Sequence, residues 1–290
     1  MANTGKIAGT LERTATSAEV EIGGAKWSLC RDGYSYEFRC SVGDGTNALW
    51  NCLAKGRLTA CQPVNGRKTE TWTESFNFFM HTMHGYAHSE RIYMPFCRNP
   101  VNFEAEVEVI KLQVIDLSAP PSKSIVSTED GACFEVDGEK FWLSKKVLSF
   151  HSPVFEAMFS ADFKEKATGM YHLKEVKLDD FEMFLSVLYN MDIPITTQKS
   201  LEGLLRLGDM WQCDAVIRIC RDIISRPDST FLTLKAKIQL CDRHGFCLQL
   251  TAVIEKAELD EVKKLVKDGC RAQLSSFTLN VILDRLAASW

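Results

Sequence analysis

Residues 146–159 read Lys146-Val147-Leu148-Ser149-Phe150-His151-Ser152-Pro153-Val154-Phe155-Glu156-Ala157-Met158-Phe159. Proline disfavours helical geometry in the residue before it, so a short helix over Lys145–His151 must stop near Ser152. Ser152 then offers a capping oxygen to a second helix, and Pro153 suits its first position. Val154, Phe155, Met158 and Phe159 recur at helical spacing and give that second helix one apolar face. Just upstream, Ala132–Val136 and Lys140–Leu143 flank Asp137-Gly138, a dipeptide suited to a tight hairpin. A hairpin feeding two short helices is the start of an α/β domain.

Helical patterning continues downstream. Asp179 and Glu182 have the spacing of a capping pair, with Phe181, Phe184, Leu185 and Leu188 on one face behind them. The carboxylate pair Asp179-Asp180 is therefore read as a helix cap. Leu201, Leu204, Leu205 and Leu207 predict another helix, and Asp214 opens one through Val216, Ile219, Cys220 and Ile223. Beyond Arg226-Pro227 the tail reads as helices over about 231–244, 246–257, 258–268 and from 276 onward. Gly245 and Gly269 suit left-handed C-terminal positions.

The first half has period two instead. Tyr34, Tyr36, Phe38, Cys40 and Val42 alternate with Ser35, Glu37, Arg39 and Ser41, giving a strand with one apolar and one wet face. Phe103, Ala105, Val107 and Val109 alternate equally well with Glu104, Glu106 and Glu108. After Val109 the phase flips to Ile110, Leu112 and Val114, which predicts a β-bulge or bend. Further strands are expected at Ala18–Ile22, Ala25–Cys30, Ala48–Ala54 and Ser75–Met80. Turns are expected at Gly23-Gly24, Asp32-Gly33, Gly43-Asp44-Gly45 and Asn65-Gly66. Many short strands with regular turns imply an antiparallel β-sandwich. Leu117–Ser127, with two prolines and four serines and neither period, reads as a linker.

Hydrophobic residues make up 46% of the 290-residue chain and charged residues 25%, ordinary for folded protein of about two domains. The net charge of −4 is evenly spread: residues 1–117 hold 12 Lys+Arg against 13 Asp+Glu, the remainder 22 against 25. A basic face for nucleic acid is not visible in these counts. Eleven cysteines without a CxxC pair, a beginning without a signal-peptide apolar core and the lack of an apolar run near 20 residues predict a reducing cytoplasmic or nuclear setting and no membrane span.

Catalytic signatures are missing: there is no GxSxG, P-loop, HExxH or dinucleotide glycine pattern, so no active site and no cofactor is expected. His81, His84 and His88, with Cys97 downstream, are spaced to share a helical face and could hold zinc on a helix. Gly85 and the preceding strand argue instead for a strand leaving into a loop, where solvated histidines or a peptide contact are the competing readings.

In order, the run Glu129–Val136, the Asp137-Gly138 turn, Phe141, Leu143, Lys146-Val147-Leu148, His151–Phe155, Met158-Phe159 and Leu204–Asp209 resembles a BTB (POZ) domain. Gly24, Trp27, Trp50 and the strand pairs give the first half a looser likeness to a MATH domain. The resemblance implies a MATH-like sandwich at 5–116, a linker at 117–127, a BTB domain at 128–226 and a helical three-box or BACK-like extension at 227–290. That order is similar to the MATH–BTB substrate adaptors of cullin-three ubiquitin ligases. It implies a homodimer that binds a client peptide and a cullin and carries no activity of its own; a dimerising scaffold without a ligase role is the alternative. Phe163-Lys164-Glu165 matches the family's cullin-binding signature, which assigns Phe163 and Glu165 to that contact; Phe163 folding back on its own domain is the competing reading. By position the peptide groove falls on Phe38, Phe76, His84 and Tyr86, with plain sandwich core as the alternative for the two phenylalanines. His84-Gly85-Tyr86 departs from the family's Trp-Gly-aromatic triplet. The dimer interface is assigned to Phe141, Trp142 and Leu148, because Pro120-Pro121 stands where many relatives carry an apolar helix.

Overall fold

The computed structural model describes residues 3–43, 47–64, 68–82, 86–94, 100–160, 168–191, 193–227, 229–267 and 274–288. The chain forms two compact units, Met1–Lys146 with Asp162–Glu175 and Asn190–Ile193, and Val147–Ala161 with Val176–Tyr189 and Pro194–Trp290.

The first unit contains the sandwich. Strands β1 (Thr4–Leu11), β10 (Val101–Asp116), β6 (Ala48–Val64) and β7 (Lys68–Thr82) form one antiparallel sheet in the order β1-β10-β6-β7. The other sheet runs β2 (Thr14–Thr16), β4 (Ala25–Asp32), β5 (Ser35–Ser41), β8 (Tyr86–His88); β3 (Val20–Ile22) also pairs with β4, and β9 (Ile92–Tyr93) with β5. Inward residues of both sheets meet in the core. Trp27 of β4 lies edge-on to Phe78 of β7, ring centroids 4.9 Å apart, and Trp50, Tyr36, Phe103 and Leu58 are buried around them.

The alternation in β5 holds for Tyr36, Phe38, Cys40 and Val42, all buried, whereas Tyr34 lies in the turn before the strand and is exposed. The phase flip in β10 is a register shift between Val109 and Lys111. Beyond it Leu112 packs on the core, but Ile110 and Val114 stay exposed, so the flip does not bury its whole apolar set. Strands β6 and β7 extend well beyond the expected Ala48–Ala54 and Ser75–Met80. Lys55 and Arg57 point outward and pair with Glu108 and Glu106 of β10, at 3.2 and 2.9 Å, so the strands continue through a charged stretch. Strand β1 has no clean apolar alternation because glycines occupy it; a Cβ on Gly5 would sit 2.7 Å from Ile22.

The linker is anchored at both ends. Leu117 and Ile125 are buried, and Asp116 accepts hydrogen bonds from the backbone N–H groups of Ser118 and Lys123. Leu117 in turn accepts one from the backbone N–H of Trp142, at 2.9 Å. Trp142 lies on β12 (Glu139–Ser144), which pairs with β11 (Gly131–Val136) across the expected turn, with Asp137 and Gly138 both at positive φ. β13 (Met170–His172) runs parallel to β11 on its other side. A turn of 3-10 helix, Thr128–Asp130, precedes β11. Its Asp130 carboxylate accepts from Ser144 Oγ and from the backbone N–H of Lys146, fixing the entry to helix α1 (Lys145–His151).

The second unit is helical: α2 (Pro153–Ser160), α3 (Leu178–Leu188), α4 (Gln198–Met210), α5 (Asp214–Ser225), α6 (Leu234–Arg243), α7 (Cys247–Lys256), α8 (Leu259–Lys267) and α9 (Ser276–Ala287). Among the described residues no helix is long and apolar enough to cross a membrane.

Candidate interaction surfaces

Ser152 does what its place before Pro153 requires. Its Oγ accepts from the backbone N–H of Phe155 at 3.2 Å, capping α2, and donates to the carbonyl of Trp211. Trp211 is the hub of the unit's aromatic core, with centroids 5.0 Å from Phe155, 6.0 Å from Phe181 and 4.6 Å from Phe184. The sequence from 146 to 159 therefore fixes a scaffold, on which the remaining question is what faces out.

Helix α1 answers it in part. Leu148 is fully buried and Phe141 nearly so, which removes both from an exposed dimer surface; their apolar side chains serve the interior of their own chain. Trp142 is half-buried, out of phase with its buried neighbours Phe141 and Leu143. Phe150 is 84% exposed, a large apolar side chain on the helix surface. At 100° per residue, a position two along from Leu148 points to the opposite side of the helix, so its outward aim was readable from the spacing.

Phe163 and Glu165 lie outside the described residues, as do His84, Gly85 and Cys97. Tyr86 is described at the backbone, where it pairs with Ser41 on β8, the strand at one end of its sheet. Phe38 and Phe76 are both buried, and of the two Phe76 borders a surface hollow, beside Gly56 and Ser75. They come from opposite sheets and stack in the sandwich core, centroids 3.9 Å apart, with Phe38 at 0% exposure. Period two had already put Phe38 on the inward face.

The outward positions of β5 and β8 carry different chemistry. Arg39 pairs in register with His88, and Ser41 with Tyr86. Glu37 receives Arg91 Nε at 2.6 Å and has His88 Nδ1 at 3.4 Å. With Thr14, Thr16 and Cys30, the side chains of Glu37, Arg39, His88 and Arg91 line a polar hollow of about 260 Å³. His81, on β7, is separate and half-buried; burial pushes its pKa down from 6.5 to about 4, so it is neutral at physiological pH. Among the described residues no three His, Cys, Asp or Glu side chains gather to hold a metal. His81 and His88 sit on strands, so the helical alignment behind the zinc reading does not form.

The carboxylate pair at the start of α3 also differs from its sequence reading. The helix begins two residues earlier than a cap at Asp179 would set, with Lys177 at the cap position and no side-chain cap bond. Asp180 is buried instead, and binds Arg206 Nη2 of α4 at 3.0 Å. Gly203 permits this contact, since a Cβ there would fall 2.2 Å from Asp180 Oδ1.

Residues 131–227 match the BTB/POZ domain family. The chain is 29% identical over 157 residues to BTB and MATH domain-containing protein 38 of Caenorhabditis elegans, covering 51% of this chain and 40% of that protein. It is 33% identical over 89 residues to BTB and MATH domain-containing protein 15 of the same organism, covering 31% and 32%. Kelch-like protein 40 of Xenopus laevis matches at 24% over 163 residues, 51% of this chain and 25% of that protein. The matches thus span well under half the length of these curated relatives. An antiparallel sandwich, a BTB/POZ domain and a helical C-terminal region follow one another in this chain, an order that supports its likeness to the BTB and MATH domain-containing proteins.

Proposed function

We propose that this protein is a substrate adaptor of a cullin-three ubiquitin ligase: the sandwich holds an extended client segment and the BTB domain recruits the cullin, promoting ubiquitination and degradation of the client in the cytoplasm or nucleus. The BTB/POZ match and the likeness to BTB and MATH domain-containing proteins support a protein-interaction role; the ligase role is the step beyond it. The observation that carries the reading is Phe150, whose ring stands almost fully in solvent on a helix of a domain that is otherwise well packed. An exposed aromatic on a rigid helix is the kind of anchor that protein interfaces use. Phe150 is the better candidate for the homodimer contact than Phe141 or Leu148, which are buried. The cullin contact remains assigned to Phe163 and Glu165, an apolar anchor followed by an acceptor.

For the client, strand addition at the β8 edge would supply backbone hydrogen bonds, while Arg39, Ser41 and His88 present polar contacts beside the Tyr86 position. This groove takes polar residues on the peptide more readily than a purely apolar stretch. Two grooves in a dimer would raise weak client affinity by ~10²–10⁴ where both engage together. The chemistry of transfer belongs to other subunits.

Capture of the cullin by wild type, Phe163→Ala and Glu165→Ala proteins tests the ligase role. Binding by wild type that falls at least tenfold in each variant supports it. Equal binding by all three removes Phe163 and Glu165 from the contact, and no binding by wild type leaves a dimerising scaffold.

A further inference from the structure

Helix α4 presents Lys199, Glu202, Gly203 and Arg206 at three- and four-residue spacing, hence on one face. That face, with Lys177 and Asp180 at the start of α3 and Arg243 and His244 at the end of α6, lines a cleft of about 520 Å³. Its carboxylates are largely committed. Asp180 holds Arg206 at 3.0 Å, and Asp209 holds His244 Nδ1 at 2.6 Å. Glu202 accepts from Gln198 Nε2 at 2.8 Å. Among the described residues, Lys177, Lys199 and Arg243 have no such partner, although the chain as a whole is acidic. Nothing in the proposed adaptor mechanism uses them.

We propose that this cleft is a docking site for an acidic segment of a partner protein, independent of the cullin contact and of the sandwich groove. Charge complementarity selects the occupant. Three uncommitted cations spread around one cleft suit carboxylates spaced along an extended peptide. The interleaved Glu202 and Asp209 can accept backbone N–H groups from such a peptide, and would repel a compact polyanion or a nucleic acid backbone. The Asp180–Arg206 pair, packed on Gly203, holds the floor of the cleft in place.

The test is fluorescence anisotropy of the full chain with a labelled Glu/Asp-rich peptide of about twelve residues, and with its Gln/Asn counterpart, at low and physiological salt. The acidic peptide is expected to bind, to weaken as salt rises, and to lose at least tenfold in affinity in a Lys177→Glu/Lys199→Glu/Arg243→Glu protein that keeps its circular dichroism spectrum. A Lys263→Glu/Lys264→Glu control on α8 should bind like wild type. Equal binding of the neutral peptide, equal loss in the control, undiminished binding by the triple variant, tighter binding of a short single-stranded RNA, or no binding by wild type at about millimolar peptide would each overturn the proposal.

Discussion

Phe38 and Phe150 are both aromatic, one on a strand and one on a helix, and have opposite fates. Phe38 lies on a strand whose neighbours alternate, and it stacks on Phe76 in a closed core. Phe150 follows Leu148 by two on a helix and projects into solvent at 84% exposure. The same residue type is cement in one region and an available contact in the other. Periodicity of the element decides which, and motif membership does not.

The largest effect should come from the cement. Phe38→Ala removes a ring from a packed interior and is expected to lower stability by about 3–5 kcal/mol, seen as an early midpoint in denaturant. A loss below about 1 kcal/mol would mean that the core between β5 and β7 is looser than the stacking indicates. Next comes Gly203→Ala in the helical unit. Its new Cβ would overlap the Asp180 carboxylate, so a cost of about 1–3 kcal/mol is expected, with the Asp180–Arg206 pair displaced. A neutral result would show that α3 and α4 can separate at little cost.

His81 sharpens the comparison through pH. Its pKa is about 4 in the folded chain against 6.5 when free, so the unfolded chain binds the proton more readily. Stability from its neutral form is complete above about pH 6.5 and is lost as pH falls towards 4. His81→Gln should flatten that acid limb in thermal melts between pH 7 and 4. An unchanged profile would place the titrating group elsewhere. The smallest effect on stability belongs to Phe150→Asp, within about 0.5 kcal/mol as for a typical surface position. Its effect on self-association should instead be large.

Much of this architecture was legible beforehand. The bulge in β10, the Asp137-Gly138 hairpin and the Ser152-Pro153 helix junction each follow from a local rule, and each is found. The readings that shifted did so for nonlocal reasons. β1 is held by pairing with β10 in spite of its glycines, and β6 continues through Lys55 and Arg57 because Glu108 and Glu106 lie opposite. Asp180 abandons capping because Arg206 and Gly203, more than twenty residues on, make it a better place. Leu117 and Ile125 tie down a segment whose composition alone reads as a tether. Of the interaction residues, Phe38, Phe76, Phe141 and Leu148 were named by their place in a family pattern, although the alternation along β5 had put Phe38 on the apolar face. Phe150 was passed over although its spacing marked it as outward.

The proposed adaptor role requires the BTB domain to pair two chains and to hold a cullin. Size-exclusion chromatography with light scattering, on the full chain mixed with the N-terminal domain of the BTB-specific cullin, measures both at once. A complex of two chains with two cullin domains is predicted, reduced by Phe150→Asp to one of each. A wild-type protein that elutes as a single chain, with the cullin domain running separately, would contradict it.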